Sequence, residues 1–332
     1  MTTITLGNGN NLSVSDDNSN GDTIILGDGI NDTVSADSSQ YDTITLGNGA
    51  GDTVNADASS FATNFGSQYD TITLGNGAGD TVNLAVGVND RITLGNGAGD
   101  TVCALAGLLG FGSGGGTIIL GNGAGDTVLL EAGGYNTITL GDGAGDTVSA
   151  GDTEQSSFGN TITVGNGDGD SVSVGGYFTG NTITVGNGNG DSVSVSFPAS
   201  GNTIIVGDGA EDRVYLYGDS NNNKITLRNG NSDVVNNNFG GSGSNNTITL
   251  GNGTGDVVND FYTNQSNQFI ALNNTITLGN GNDTIYVGNS DTMTVGTGQD
   301  SFLFQQTAPG SIGAVTINHF NPNKDVITLS TS

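Results

Sequence analysis

The sequence predicts an all-β fold, a parallel β-solenoid with about 20 residues and two short strands per coil. Three observations predict it. A phrase close to "DTITLGNGAGD" recurs along the chain, at Asp42 and Asp70 almost unchanged. The first aliphatic of each copy, from Ile4, Ile24, Ile44 and Ile72 on to Ile276, returns at a base step near 20 residues. Self-similarity at such a period marks a solenoid. Composition agrees, because 332 residues with 59 Gly, 3 Pro, no Trp and 6% aromatics cannot fill several thick cores.

Residue types resolve one period in order. In the copy from Thr43, "TITL" sends Ile44 and Leu46 to one face and Thr43 and Thr45 to the other, the alternation of a half-buried strand. "GNGAGD" follows as a turn in which glycine admits φ > 0. "TVNA" then points Val54 and Ala56 inward as a second short strand. A polar return of variable length leads to Asp or Asn before the next "TIT". Length changes fall in that return, as in "SSFATNFGSQY" from Ser59, "ALAGLLGFGSGGG" from Ala104 and "FYTNQSNQFIALNN" from Phe261. The glycine turn almost never changes length. A lone coil has too few inward aliphatics to stand by itself, but stacking gives each strand a parallel neighbour at ~4.8 Å. The solenoid is expected over residues 1–300 as about 14 coils. Residues 301–332, where Phe304, Pro309, Phe320 and Pro322 break the period, read as a C-terminal cap.

Stacking lines up one aspartate per glycine turn: Asp32, Asp52, Asp80, Asp100, Asp126, Asp146, Asp170, Asp191, Asp212, Asp233 and Asp256, with Asp283 and Asp300 extending the file. The chain carries 33 acidic and 5 basic residues, a formal charge of −28. Nucleic acid and anionic membrane surfaces are therefore disfavoured partners, and cations are favoured. Neighbouring carboxylates at strand spacing repel by ~0.9 kcal/mol in water and several-fold more where partly buried. Few Lys or Arg lie nearby, so the counter-charge is expected from solution. Carboxylates and turn carbonyls supply the hard oxygens that Ca²⁺ takes. One His and one Cys leave little for softer metals. Alternatively, the aspartates only accept hydrogen bonds from turn amides, and Asn would then serve equally well. Asp nevertheless stands in every full turn from Asp32 to Asp300, while Asn and Asp exchange freely just before "TIT".

"LGNGNDTIYV" from Leu278 and "VGTGQDSFLF" from Val295 match a G-x-G-x-D-x-apolar core without gaps. They resemble the glycine- and aspartate-rich repeats of the RTX family, the calcium-binding parallel β-rolls of type I secreted bacterial proteins. "TINHFNPNKDVITL" from Thr316 is similar to the segment that follows such repeats. The resemblance is tight over residues 278–329 and implies calcium at Asp283 and Asp300. It also implies secretion to the extracellular space or cell surface. The earlier "GNGAGD" turns hold one residue more, and the second turn of each coil lacks the motif. The family's two files of ions are thereby expected to shrink to one.

Outward threonine pairs such as Thr43 and Thr45, Thr71 and Thr73, or Thr137 and Thr139 form a flat array, interrupted by Arg91 and Lys224. Such arrays resemble those of ice-binding proteins, although Thr is also simply a good outward strand residue. Asn48, Asn76, Asn96, Asn252 and Asn280 belong to a second ladder whose amides can bond along the axis. Aromatics gather in the returns, among them Phe61, Phe65, Tyr69, Phe111, Tyr135 and Phe158; they shield that edge or form a glycan strip. The only histidine, His319, lies in the tail, and no zinc-protease or phosphate-loop pattern occurs. The chain enters its first repeat by Thr3, as expected of an excised fragment or of secretion without an N-terminal signal. Its open first coil invites end-to-end contact. The expectation is a secreted, calcium-loaded structural or adhesive module and no enzyme. The alternatives are an ice-binding protein and the non-catalytic repeat module of a larger secreted enzyme.

Overall fold

A computed structural model describes the chain except residues 17–18, 37–38, 57–67, 86–88, 106–113, 132, 152–156, 177, 197–198, 240–242, 262–271, 307–312 and 332. The described residues form 33 β-strands and no helix. They wind as a parallel β-solenoid of about 21 residues per turn and two strands per coil, the fold class that the repeat predicts.

Two compact units divide the chain, Met1–Gly167 and Asp168–Ser332. In the first, one sheet runs from Thr3–Thr5 through Thr23–Ile25, Thr43–Thr45, Thr71–Thr73 and onward to Thr161–Val164. The other runs from Ser13–Ser15 through Thr33–Ser35, Thr53–Ala56 and Thr81–Ala85 to Thr147–Ala150. Every pairing is parallel and places like over like, Ile44 on Ile72 and Val54 on Val82. The second unit repeats this with Thr182–Val185 on Thr203–Val206 and Ser171–Val174 on Ser192–Val195. Period-2 alternation explains the core: Ile44, Leu46, Val54 and Ala56 are 2% exposed or less, and their strand neighbours face outward.

The glycine turn closes each coil against the one before it. A β-carbon on Gly49 would sit 1.6 Å from the carbonyl oxygen of Gly29, so the second turn glycine has no room for a side chain. Two residues on, Gly51 has φ 75°, and Asn31 holds the same place at φ 57°. At the C-terminal end, Thr316–Asn318 pairs with Thr292–Thr294, and Val326–Thr331 pairs with Ser301–Gln306. The tail thus adds a strand to each sheet. Phe302 packs 6.2 Å from Phe320 beneath it, while Ile327 and Leu329 face solvent. The long returns fall largely outside the described residues, and Phe61, Phe65 and Phe111 with them.

Candidate metal centre

The turn aspartates do not project from a rim. All thirteen, Asp32 to Asp146 in the first unit and Asp170 to Asp300 in the second, are 1% exposed or less. The chain enters the second strand just after each one, and the glycine turn folds its carboxylate inward beneath the loop. There it meets the backbone of the preceding coil. The amide of Asp32 donates to Oδ1 of Asp52 at 2.9 Å, and Asp52 to Asp80 at 2.9 Å. Asp80, Asp100 and Asp126 donate in the same way to Asp100, Asp126 and Asp146, each at 3.0 Å. The second unit repeats the pattern from Asp170 onto Asp191 at 2.9 Å to Asp283 onto Asp300 at 3.1 Å. Asp300 then donates to Asp325 at 3.1 Å, one member beyond the file read from the sequence.

Amide hydrogen bonding, the alternative weighed above, therefore accounts for one oxygen of each carboxylate. In eleven of them the other does not join in. Oδ2 is buried and accepts no hydrogen bond of ordinary geometry in Asp32, Asp52, Asp80, Asp100, Asp126, Asp191, Asp212, Asp233, Asp256, Asp283 and Asp300, although a second turn amide, such as Gly51 at Asp80 and Gly79 at Asp100, also draws on several of these carboxylates. A buried carboxylate oxygen without a partner is costly. Backbone oxygens lie close by. A β-carbon on Gly230 would lie 1.7 Å from Gly209 O and 2.6 Å from Asp233 Oδ2. On Gly253 it would lie 1.4 Å from Gly230 O and 3.0 Å from Asp256 Oδ2. The turn glycine thus lets a carbonyl of one coil come close to a carboxylate of the next.

Burial sets the electrostatics. It pushes the carboxyls of Asp80, Asp100, Asp146 and Asp300 up to about 6, against the pull of the amide bonds, which favour the charged form. For Asp212, Asp233 and Asp283 the same burial, reinforced by neighbouring aspartates, raises them to about 7.

The opposite edge carries a second buried file that the sequence reading did not recognise as one. Asp22 donates to Oδ1 of Asp42 at 2.8 Å and Asp42 to Asp70 at 2.7 Å, whereas Asn181 donates to Asn202 at 2.9 Å and Asn202 to Asn223 at 3.0 Å. Here Asn replaces Asp because its amide finds acceptors: Asn223 Nδ2 donates to Ala199 O at 3.2 Å and Asn246 Nδ2 to Ser220 O at 2.9 Å. The free exchange of Asn and Asp before "TIT" was the available signal. Also unforeseen is Asp260, buried and bonded by Asn237 Nδ2 at 2.6 Å and Asn274 Nδ2 at 2.9 Å. Its carboxyl is raised by burial and by the neighbouring Asp291.

The outer asparagine ladder forms as expected, with Asn76 Nδ2 on Asn48 Oδ1 at 3.0 Å and Asn280 Nδ2 on Asn252 Oδ1 at 2.8 Å. Threonines also stand in register, Thr43 on Thr71 and Thr45 on Thr73. Among the described residues no three His, Cys, Asp or Glu side chains gather around one point. An ion would therefore draw single carboxylate oxygens from successive coils and complete its shell from glycine carbonyls. The orphaned Oδ2 atoms and the nearby glycine carbonyls are the hard oxygens that such a cation takes. No protein-family model and no curated protein matches the chain.

Proposed function

We propose that the chain is a calcium-binding β-solenoid of the RTX kind, serving outside the cell or on its surface as a structural or adhesive module. The observation that carries this reading is the file of buried aspartate oxygens without hydrogen-bond partners, close to glycine carbonyls. Asp32 to Asp146 and Asp170 to Asp300 would hold calcium, the eleven with an unpartnered Oδ2 through that oxygen, while Oδ1 keeps the neighbouring coil in register. Bound calcium supplies the positive charge that lets buried carboxylates remain ionised at neutral pH. With little calcium, a chain of charge −28 expands by self-repulsion. With millimolar calcium the coils stack, so export and folding are coupled.

Asp100→Asn tests this. It preserves the acceptor for the Asp80 amide and removes the charge. Calcium-induced stabilisation is expected to fall relative to wild type, while stability in EDTA stays level or rises. Equal calcium stabilisation of both proteins in thermal melts, or none in either, would refute the reading. A second reading, ice binding, draws on the registered threonines, Thr247 on Thr275 and Thr249 on Thr277. Thermal hysteresis of the folded chain decides it: a freezing gap supports ice binding, and its absence removes it.

A further inference from the structure

We infer that the first unit carries a slot for a neutral saccharide, built on Tyr41. Each coil approaches its "TIT" strand through a residue of positive φ, just before the buried Asp or Asn. In the first unit these are Gly21 (74°), Tyr41 (63°), Tyr69 (59°), Asn89 (59°), Gly115 (70°), Tyr135 (60°) and Gly159 (64°). In the second they are glycine, asparagine and Ser290, with no aromatic residue. Left-handed backbone suits glycine and asparagine, whereas a bulky aromatic there is an outlier. Folding does not call for these tyrosines, since glycine does the same job in neighbouring coils. Nor are they core, as Tyr41 is 59% and Tyr69 48% exposed. Backbone strain held on an exposed edge is characteristic of ligand clamps.

The rings define the slot. Tyr41 and Tyr69 stack with centroids 5.2 Å apart and planes 5° from parallel. Tyr135 shows which way such rings lean, because a β-carbon on Gly159, one coil further on, would lie 2.8 Å from its ring carbons. Tyr41 leans the same way, onto Tyr69. On its other side lies Gly21, where an added β-carbon would meet nothing within 4 Å. One face of Tyr41 is thus covered by Tyr69, and on the other, toward Gly21, no described residue lies within 4 Å of the place a Gly21 β-carbon would take.

The rim indicates the occupant. Asn20, Gln40 and Gln68 are bridged in parallel along this corner, Asn20 exposed and the two glutamines half-buried. They offer neutral amide donors and acceptors beside the rings. A pyranose presents a C–H face to the electron-rich face of tyrosine and hydroxyls to amides at its edge. Phosphorylated or nucleotide rings are opposed by the charge of −28. The slot lies beside Asp22, Asp42 and Asp70 of the second file, on the opposite edge from the candidate calcium file, and does not depend on the calcium reading.

The test uses the full chain in calcium-containing buffer. Native gels cast with hydroxyethylcellulose, mixed-linkage β-glucan or glycogen report retardation; chitohexaose and tetramethylammonium are titrated against tyrosine fluorescence, the chain having no Trp. Two variants are compared. Tyr41→Gly removes the ring and relaxes the backbone, so its melting temperature should hold or rise. Gly21→Tyr fills the slot with a third ring. Retardation or a fluorescence change with at least one saccharide is expected, weakened about two- to tenfold in both variants, as loss of one aromatic stacking contact implies. No binding to any saccharide, or binding unchanged in both variants, would overturn the proposal. So would a response to tetramethylammonium alone, which would make the slot an organic-cation site.

Discussion

Gly97 and Gly99 stand two residues apart in one turn and are glycine for different reasons. A β-carbon on Gly97 would come within 1.6 Å of Gly77 O, a backbone atom fixed by stacking. Gly99 has φ 75° with nothing within 4 Å of the added carbon. Gly97→Ala is therefore expected to destabilise by about 3 kcal/mol or more, the upper range of overpacking. Gly99→Ala should cost only about 1 kcal/mol of left-handed strain. Urea unfolding of the two variants checks the order, and equal midpoints would contradict it. At this scale the sequence was legible in part. Alternation identified Ile44, Leu46, Val54 and Ala56 as inward, because a two-residue period leaves no other face for them. It did not reveal that Asp80 would lie wholly buried with Oδ1 on the Asp52 amide. That contact joins residues 28 apart and depends on how the turn folds under the coil.

Between coils, what stabilises each element is its neighbour's repeat of the same contact, and a break in the repeat is informative. On the edge before "TIT", Asp or Asn accepts an amide from the preceding coil, but Gly116 occupies that place between Asp90 and Asn136. Its own amide donates to Asn136 Oδ1 at 2.9 Å, yet it offers no acceptor to Asp90. A cavity of ≈ 10 Å³ lies there, lined among the described residues by Leu84, Asp90, Ile92, Ala104, Ile118 and Asn136. A β-carbon on Gly116 would sit 3.3 Å from its nearest neighbours, a fit needing only small adjustment. Gly116→Asn should restore the file and raise stability by about 1 kcal/mol, from one hydrogen bond and a less flexible unfolded chain. A lower urea midpoint would show that the gap is required. The strands and glycine turns were readable because every copy agrees. The second file was harder to read, because Asp and Asn alternate along it and only the hydrogen bonds show that they play one role.

For the molecule as a whole, the buried acids make stability depend on pH. In the fold, Asp80, Asp100, Asp146 and Asp300 titrate at about 6 and Asp212, Asp233 and Asp283 at about 7, against 3.8 ordinarily. Between those limits the folded chain retains protons that the unfolded chain has released. Without divalent ions, stability must therefore fall as pH rises from about 4 to 8, the upper end set by Asp90, whose carboxyl burial pushes up to about 8. Melts in EDTA should show a lower midpoint at pH 8 than at pH 5; a rise over that interval would mean the carboxyls are not held neutral by burial. Under the proposed function calcium would replace those protons, and its stabilising effect would then grow over the same window.

The most direct measurement is anomalous diffraction from crystals grown in calcium. The account predicts a file of calcium peaks, each about 2.3–2.6 Å from an aspartate Oδ2 and a glycine carbonyl oxygen. Density with no anomalous signal along the Oδ2 file at saturating calcium would contradict it.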